Sequence, residues 1–240
     1  MRWSLVALVL SGCASTPAVH EPHLSKVPAT VTAGPFTAHG CIAWSADELR
    51  ALCVTGGGST LQGGQAELGF VPDQPAGFTP VVLRAWKADE GFADQPMVLT
   101  AADAAAINTR LAEGHYVQLD PEVSWLRPLV PNQTLTWALP QPGVSVAWSR
   151  DEEQTVEGEN RWSTYDDELA VSCGEVSDSA GHSGHHDPSP TVRAGVVPGE
   201  QALLVVWADG WAIEGELGED WSASVVELGE CVPRPPMSLR

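Results

Sequence analysis

The sequence predicts a mainly β protein: an antiparallel, sandwich-like domain with one α-helix near residues 101–113. Three observations carry this. Apolar residues alternate with polar ones through residues 134–149 and again after residue 202. Turn signals of the hairpin kind, Pro140-Gln141-Pro142-Gly143 and Asp209-Gly210, interrupt those runs. Only one stretch, Thr100 to Gly114, has the composition and capping residues of a helix. Period-two alternation marks half-buried strands, and clustered Gly, Pro, Asn and Asp between them mark hairpins. Two diverged β units sharing one core are a variant of this reading, and an α+β arrangement is the alternative.

Each element follows from its residues. Residues 41–55 read as two short strands around a turn, and further strands are expected near 65–71 and 79–86. Thr100 is then a good N-cap, with Asp103 in the capping-box position. Residues 101–113 are rich in Ala and other helix formers, and Gly114 stands where a left-handed C-terminal residue would. A strand near 115–119 follows. In the 134–149 hairpin, a four-residue loop pairs Leu139 with Val144, Trp137 with Val146 and Leu135 with Trp148. Those pairs belong in a core. The second hairpin turns at Asp209-Gly210. Its first strand, residues 202–208, is apolar on both faces and therefore central. A last strand is expected near 222–228. A short echo links Ala43-Trp44-Ser45 to Ala147-Trp148-Ser149. The two copies lie too far apart for propeller blades, which recur about every 40–50 residues.

The amino terminus carries a different signal. Arg2, the apolar run Leu5 to Leu10, and then Leu10-Ser11-Gly12-Cys13 resemble a bacterial lipoprotein signal peptide with its lipobox. The apolar run is too short to span a bilayer, which takes about 20 residues, and its layout is that of a removed export signal. The resemblance implies lipidation at Cys13, attachment to the membrane through that lipid, and residence in the cell envelope. Ala14, rather than Asp, after the cysteine implies delivery to the outer membrane. The resulting division is a signal peptide at 1–12, a flexible tether at 13–34, one β-rich domain at 35–235 and a tail at 236–240.

Composition narrows the partners. The formal charge is −19, and Lys26 and Lys87 are the only lysines. That balance excludes nucleic acid as an expected ligand, since phosphate affinity comes from clustered Lys and Arg. An envelope protein or a glycan is expected instead. With Cys13 committed to lipid, Cys41, Cys53, Cys173 and Cys231 remain, an even number in an exported chain. They allow three pairings; Cys41–Cys53 and Cys173–Cys231 are favoured, because the first pair is close enough in sequence to meet across a hairpin.

Candidate ligand sites are few. His182, His185, His186 and Asp187 gather three imidazoles and a carboxylate in a Ser/Gly-rich segment, read as a flexible loop. Neutral imidazole suits zinc, copper or nickel, so a divalent transition metal is the one cofactor to consider; otherwise none is expected. Acidic residues at 151–160 and 166–168 offer carboxylates to calcium but lack the EF-hand spacing, and a solvated loop is the default. Ten tryptophans invite a glycan reading. The predicted register puts Trp207 on the face of Glu214 and Glu216, a ring flanked by carboxylates. No catalytic motif is present: Ser183 does not sit in a nucleophile elbow; a non-enzymatic role is the expectation, with a metal-binding lipoprotein, a glycan binder and, without a motif behind it, an envelope hydrolase as the alternatives.

Overall fold

The computed structural model describes residues 27–37, 40–88, 95–119, 127–137, 144–157, 160–173, 176–185, 191–197, 202–213 and 216–228. They form antiparallel sheets with one helix, the predicted fold class. The strands are β1 (Gly34–Pro35), β2 (Cys41–Ser45), β3 (Arg50–Ser59), β4 (Gly63–Val71), β5 (Val81–Trp86) and β6 (Val98–Leu99). The helix α1 (Ala101–Glu113) follows, then β7 (Val117–Gln118), β8 (Arg127–Pro128), β9 (Gln133–Trp137), β10 (Val144–Glu157) and β11 (Asn160–Cys173). The chain continues through β12 (Val176–His185), β13 (Thr191–Val196), β14 (Ala202–Ile213) and β15 (Glu216–Glu227).

The larger sheet runs β5-β4-β3-β15-β14-β13-β8, with β2 on β3 and β7 on β2. The second sheet has the order β12-β11-β10-β9. Strand β3 organises the larger one. One edge pairs with β4 along its length; the other pairs first with β2 and then, from Gly56 onward, with β15.

Three cores follow from the strand faces. On one face of β2–β4, Ile42, Leu52, Val54, Leu68 and Phe70 pack with Ile107, Leu111 and Tyr116. Between the two sheets, Val144, Val146, Trp148, Leu169 and Val171 meet Val192, Ala194, Leu203 and Val205. Trp44, Ala51, Cys53, Ala202 and Leu204 form the third. Strand β14 thus buries Leu203 and Val205 in one core and Ala202 and Leu204 in another, as its all-apolar first half requires. Each buried Leu or Val side chain contributes roughly 1.5–3 kcal/mol when taken from water.

The helix begins as its sequence dictates. The Thr100 side chain accepts a hydrogen bond from the Asp103 amide, and Ala104, Ile107 and Leu111 line the buried stripe. Its end differs from the expectation. Gly114 has φ −90°, and the left-handed residue is His115 at φ 52°. Glycine is required at 114 for space: a Cβ there would lie 2.5 Å from the Tyr116 ring and 2.8 Å from Glu48 Oε1.

Cys41 and Cys53 face each other across β2 and β3, with their sulfurs at bonding distance. This is the short-range pair the spacing favoured. Replacing both by Ala should cost about 3 kcal/mol, the loop-closure contribution of a bridge of this span. Urea unfolding of Cys41→Ala/Cys53→Ala at fixed pH measures it; a loss below about 1 kcal/mol would show that the bridge constrains little. Cys173 ends β11, while Cys231 lies outside the described residues.

Several expectations need correction. The tether does not extend to residue 34. Ala29 and Val31 are buried in the helix-side core, Asn108 holds the Val31 amide and carbonyl, and the Ala29 amide donates to the Tyr116 carbonyl. The 134–149 hairpin keeps its predicted faces but shifts by two residues: Val144 opposes Trp137 and Val146 opposes Leu135. Asp209-Gly210 is not a turn. Strand β14 runs straight through it, with Asp209 opposite Asp220, because β15 pairs along the whole length and β3 holds residues 218–221 from the other side. The acidic stretches and much of the His-rich segment are strand rather than loop.

Candidate functional site

The densest polar network in the described residues forms where the β2–β3 turn meets the end of α1. Ser45 ends β2 and is buried. Its hydroxyl donates to the Gly114 carbonyl at 2.6 Å and accepts from the Glu48 amide at 3.2 Å. The turn therefore closes on the helix terminus and points the Glu48 carboxylate at three donors. Arg110, in the last helical turn, pairs with Oε1. The Tyr116 hydroxyl donates to Oε2 at 2.9 Å, and Arg50 lies 3.4 Å from the same oxygen. Outside this node, Asp47 and His115 form an exposed pair at 2.9 Å.

The node is electrostatically settled. Burial pushes the Glu48 carboxyl up, but hydrogen bonds from Tyr116 and Arg110, the Arg110 charge and the Arg50 contact outweigh it. The net result is a pKa below the ordinary carboxylate value. Burial, then the hydrogen bond to Glu48 and its charge, push the Tyr116 phenol well above its usual range. The carboxylate stays ionised and the phenol stays protonated across the neutral range. A general acid or base needs a pKa near the working pH, so this pair is suited to holding elements together, not to moving protons.

A second polar feature lies at the glycine-rich end of the larger sheet. The Arg84 guanidinium stands 5.2 Å from the Trp86 ring and 5.5 Å from the Trp221 ring. Trp86 is buried and donates its indole N–H to the Ser59 carbonyl at 3.0 Å. Gly64 makes room for it, since a Cβ there would meet the ring at 2.5 Å. Such cation–aromatic contacts contribute about 0.5–2 kcal/mol each. Trp221 also packs against the helix-side core.

No family model, curated protein or solved structure matches this chain. The functional reading therefore rests on its own residues.

The predicted site residues fall as follows. His182 and His185 lie on β12, opposite Asp167 and Thr164 of β11. They stand three positions apart on one strand. His186 and Asp187 lie outside the described residues, as do Glu214 and Cys13. Among the described residues, no three His, Cys, Asp or Glu side chains cluster to hold a metal. Trp207 lies opposite Ser222 and Glu216 opposite Ile213. The Ala208–Trp211 pairing that the expected register assumed does not form, because Ala208 pairs with Trp221.

Reading the sequence alone missed the Glu48 node. Its hydrogen-bonded partners are separated by up to 69 residues in the chain, and none carries a local motif. The only hint was Arg110 in the last turn of a predicted helix, an ordinary position for a cation.

Proposed function

We propose that this protein is a lipid-anchored component of the bacterial cell envelope, held at the outer membrane through Cys13, with a non-enzymatic binding or structural role. Its partner is an envelope protein or a glycan. The observation that carries this reading is Leu10-Ser11-Gly12-Cys13 behind a basic residue and a short apolar run. Each buried methylene of an attached acyl chain contributes about 0.8 kcal/mol, and one chain alone binds only reversibly. The several chains that the lipoprotein resemblance implies would make attachment lasting. The folded part supports a scaffold role: its strongest polar node locks a turn to a helix, and its pKa directions keep both titrating partners fixed. Long antiparallel pairs, β10 with β11 and β14 with β15, supply extended sheet surface.

Metabolic labelling with an alkyne fatty acid tests the anchor. The native protein should take up label and sediment with membranes, and Cys13→Ala should do neither. Label retained by Cys13→Ala, or absent from the native protein, would sink the reading.

A further inference from the structure

We propose that β12 is a docking edge for an extended, basic segment of a partner protein, which adds to the second sheet as a fifth strand. The inference rests on the reading of this domain as a binding module and names the mode of binding.

The ends of the two larger sheets differ, and β7, like β1 and β6 of the small two-stranded sheet, is only two residues long. Strand β5 closes one end of the larger sheet, with a register shift against β4 and Arg84 along its length. Strand β8 closes the other with two residues, one of them Pro128. Strand β9 closes the second sheet on one side and is five residues long. Brevity, proline, irregularity and charged side chains, Lys above all, are the usual means by which an edge resists another strand. Strand β12 has only a single charge of this kind, Asp178. It is ten residues long and contains no Lys, Arg or Pro. Its register against β11 is unbroken from Cys173–Val176 to Thr164–His185. Among the described residues, nothing pairs with its outer edge. A strand of that length directs about five residues' N–H and C=O groups outward.

Charge selects the occupant. Next to β12, β11 carries Asp166, Asp167 and Glu168, opposite Ser183, His182 and Gly181. Neighbouring strands lie about 4.8 Å apart, so an added strand sits about 10 Å from that acidic run. That is just beyond the Debye length of about 8 Å at physiological salt, so the run acts mainly at low salt, while Asp178 on β12 itself is one strand nearer and favours Lys and Arg. A second copy, with its own charge of −19, is repelled. The chain's own tail carries Pro233, Pro235 and Pro236, which lack the N–H groups a strand must offer.

Hydrogen–deuterium exchange on the full chain in detergent tests this with three synthetic decapeptides: alternating Val and Lys, alternating Val and Glu, and alternating Pro and Lys. The Val-Lys peptide should slow exchange across 176–185 by about tenfold or more, roughly 1.4 kcal/mol. The other two should leave it unchanged. Asp166→Asn/Asp167→Asn/Glu168→Gln should weaken the Val-Lys effect several-fold at low salt. No slowing at 176–185, or equal slowing by the Pro-Lys peptide, would overturn strand addition. Equal slowing by the Val-Glu peptide, or an unaltered response in the triple variant, would overturn the choice of a basic partner. Protection that grows with protein concentration alone would assign the edge to a second copy instead. Lipid attachment at Cys13 is read separately by labelling, so failure here and failure of the anchor are distinguishable.

Discussion

Gly56→Ala should destabilise the protein by about 4–5 kcal/mol, a large share of the 5–15 kcal/mol typical of a folded domain. Gly56 has φ +127°, and a Cβ built on it lies 2.2 Å from the Gln65 carbonyl oxygen, 3.1 Å from its carbon and 3.2 Å from Ala66 Cα. Both neighbours are backbone of β4, held in register along all of β3, and cannot swing aside as a side chain tip would. Two costs therefore add: the strain of an L residue at that φ, about 1–3 kcal/mol, and a clash relieved only by parting two strands. Gly34 separates them. Its φ is +125°, almost the same, yet nothing lies within 4 Å of its Cβ position. Gly34→Ala should show strain alone, about 1–2 kcal/mol. Urea unfolding of both variants measures the difference, provided the denaturant dependence is unchanged. Equal losses in the two would mean that β3 and β4 do not approach as closely as described. The consequence reaches past one residue. Gly56 opposes Trp221 on β15, so parting β3 from β4 also disturbs the ring that stacks on Arg84.

How much of this was legible beforehand depends on how local the cause was. Thr100 and Asp103 set the helix start through contacts three residues apart, and that start stands as expected. Cys41 and Cys53 are separated by one turn, and the hairpin between them aligns them. Leu203 and Leu204 announce a strand buried on both faces, and they lie in two different cores. Asp209-Gly210 shows the opposite case. As a dipeptide it favours a turn, worth little beside the continuous pairing of β14 with β15, and the long-range ladder prevails. The His-rich segment fails for the same reason. Ser, Gly and His have weak strand preference, but β11 supplies a partner edge and the segment pairs with it. The Ala-Trp-Ser echo also parts ways in context: the first copy ends β2 at Ser45, the second lies well inside β10. Both tryptophans are nonetheless buried, so the echo recorded a packing need and not a shared turn. The Glu48 node was invisible because nothing near Glu48 in the chain reveals Arg110 or Tyr116.

That node gives the second large effect. Glu48→Gln should cost about 2–3 kcal/mol at neutral pH, between the small value of an exposed ion pair and the roughly 3–5 kcal/mol of a buried one, because Glu48, Arg50 and Arg110 are only partly buried. The carboxylate serves Arg110, Arg50 and Tyr116 at once. A glutamine of the same shape offers one acceptor oxygen and turns two N–H donors toward the arginines. It also loosens the Ser45–Gly114 closure, which joins the same turn to the same helix end. The pH dependence distinguishes this from simple loss of packing. Glu48 has a lowered pKa in the fold, so its contribution is present above its unfolded value, near 4.5, and is lost as pH falls through the folded value. The difference in stability between wild type and Glu48→Gln should therefore shrink as the solution is acidified below about pH 4.5. Tyr116 works in the other direction. Its phenol is raised, so its contribution is complete below its unfolded value, near 10. Above that the unfolded chain loses the proton first and stability falls as pH rises. Tyr116→Phe should remove about 1–1.5 kcal/mol at neutral pH, one hydrogen bond's worth, and flatten that alkaline decline. Urea midpoints measured across pH for the three proteins resolve both slopes. A stability gap between wild type and Glu48→Gln that stays constant into acid would mean that the carboxylate's charge is not what joins the turn to the helix.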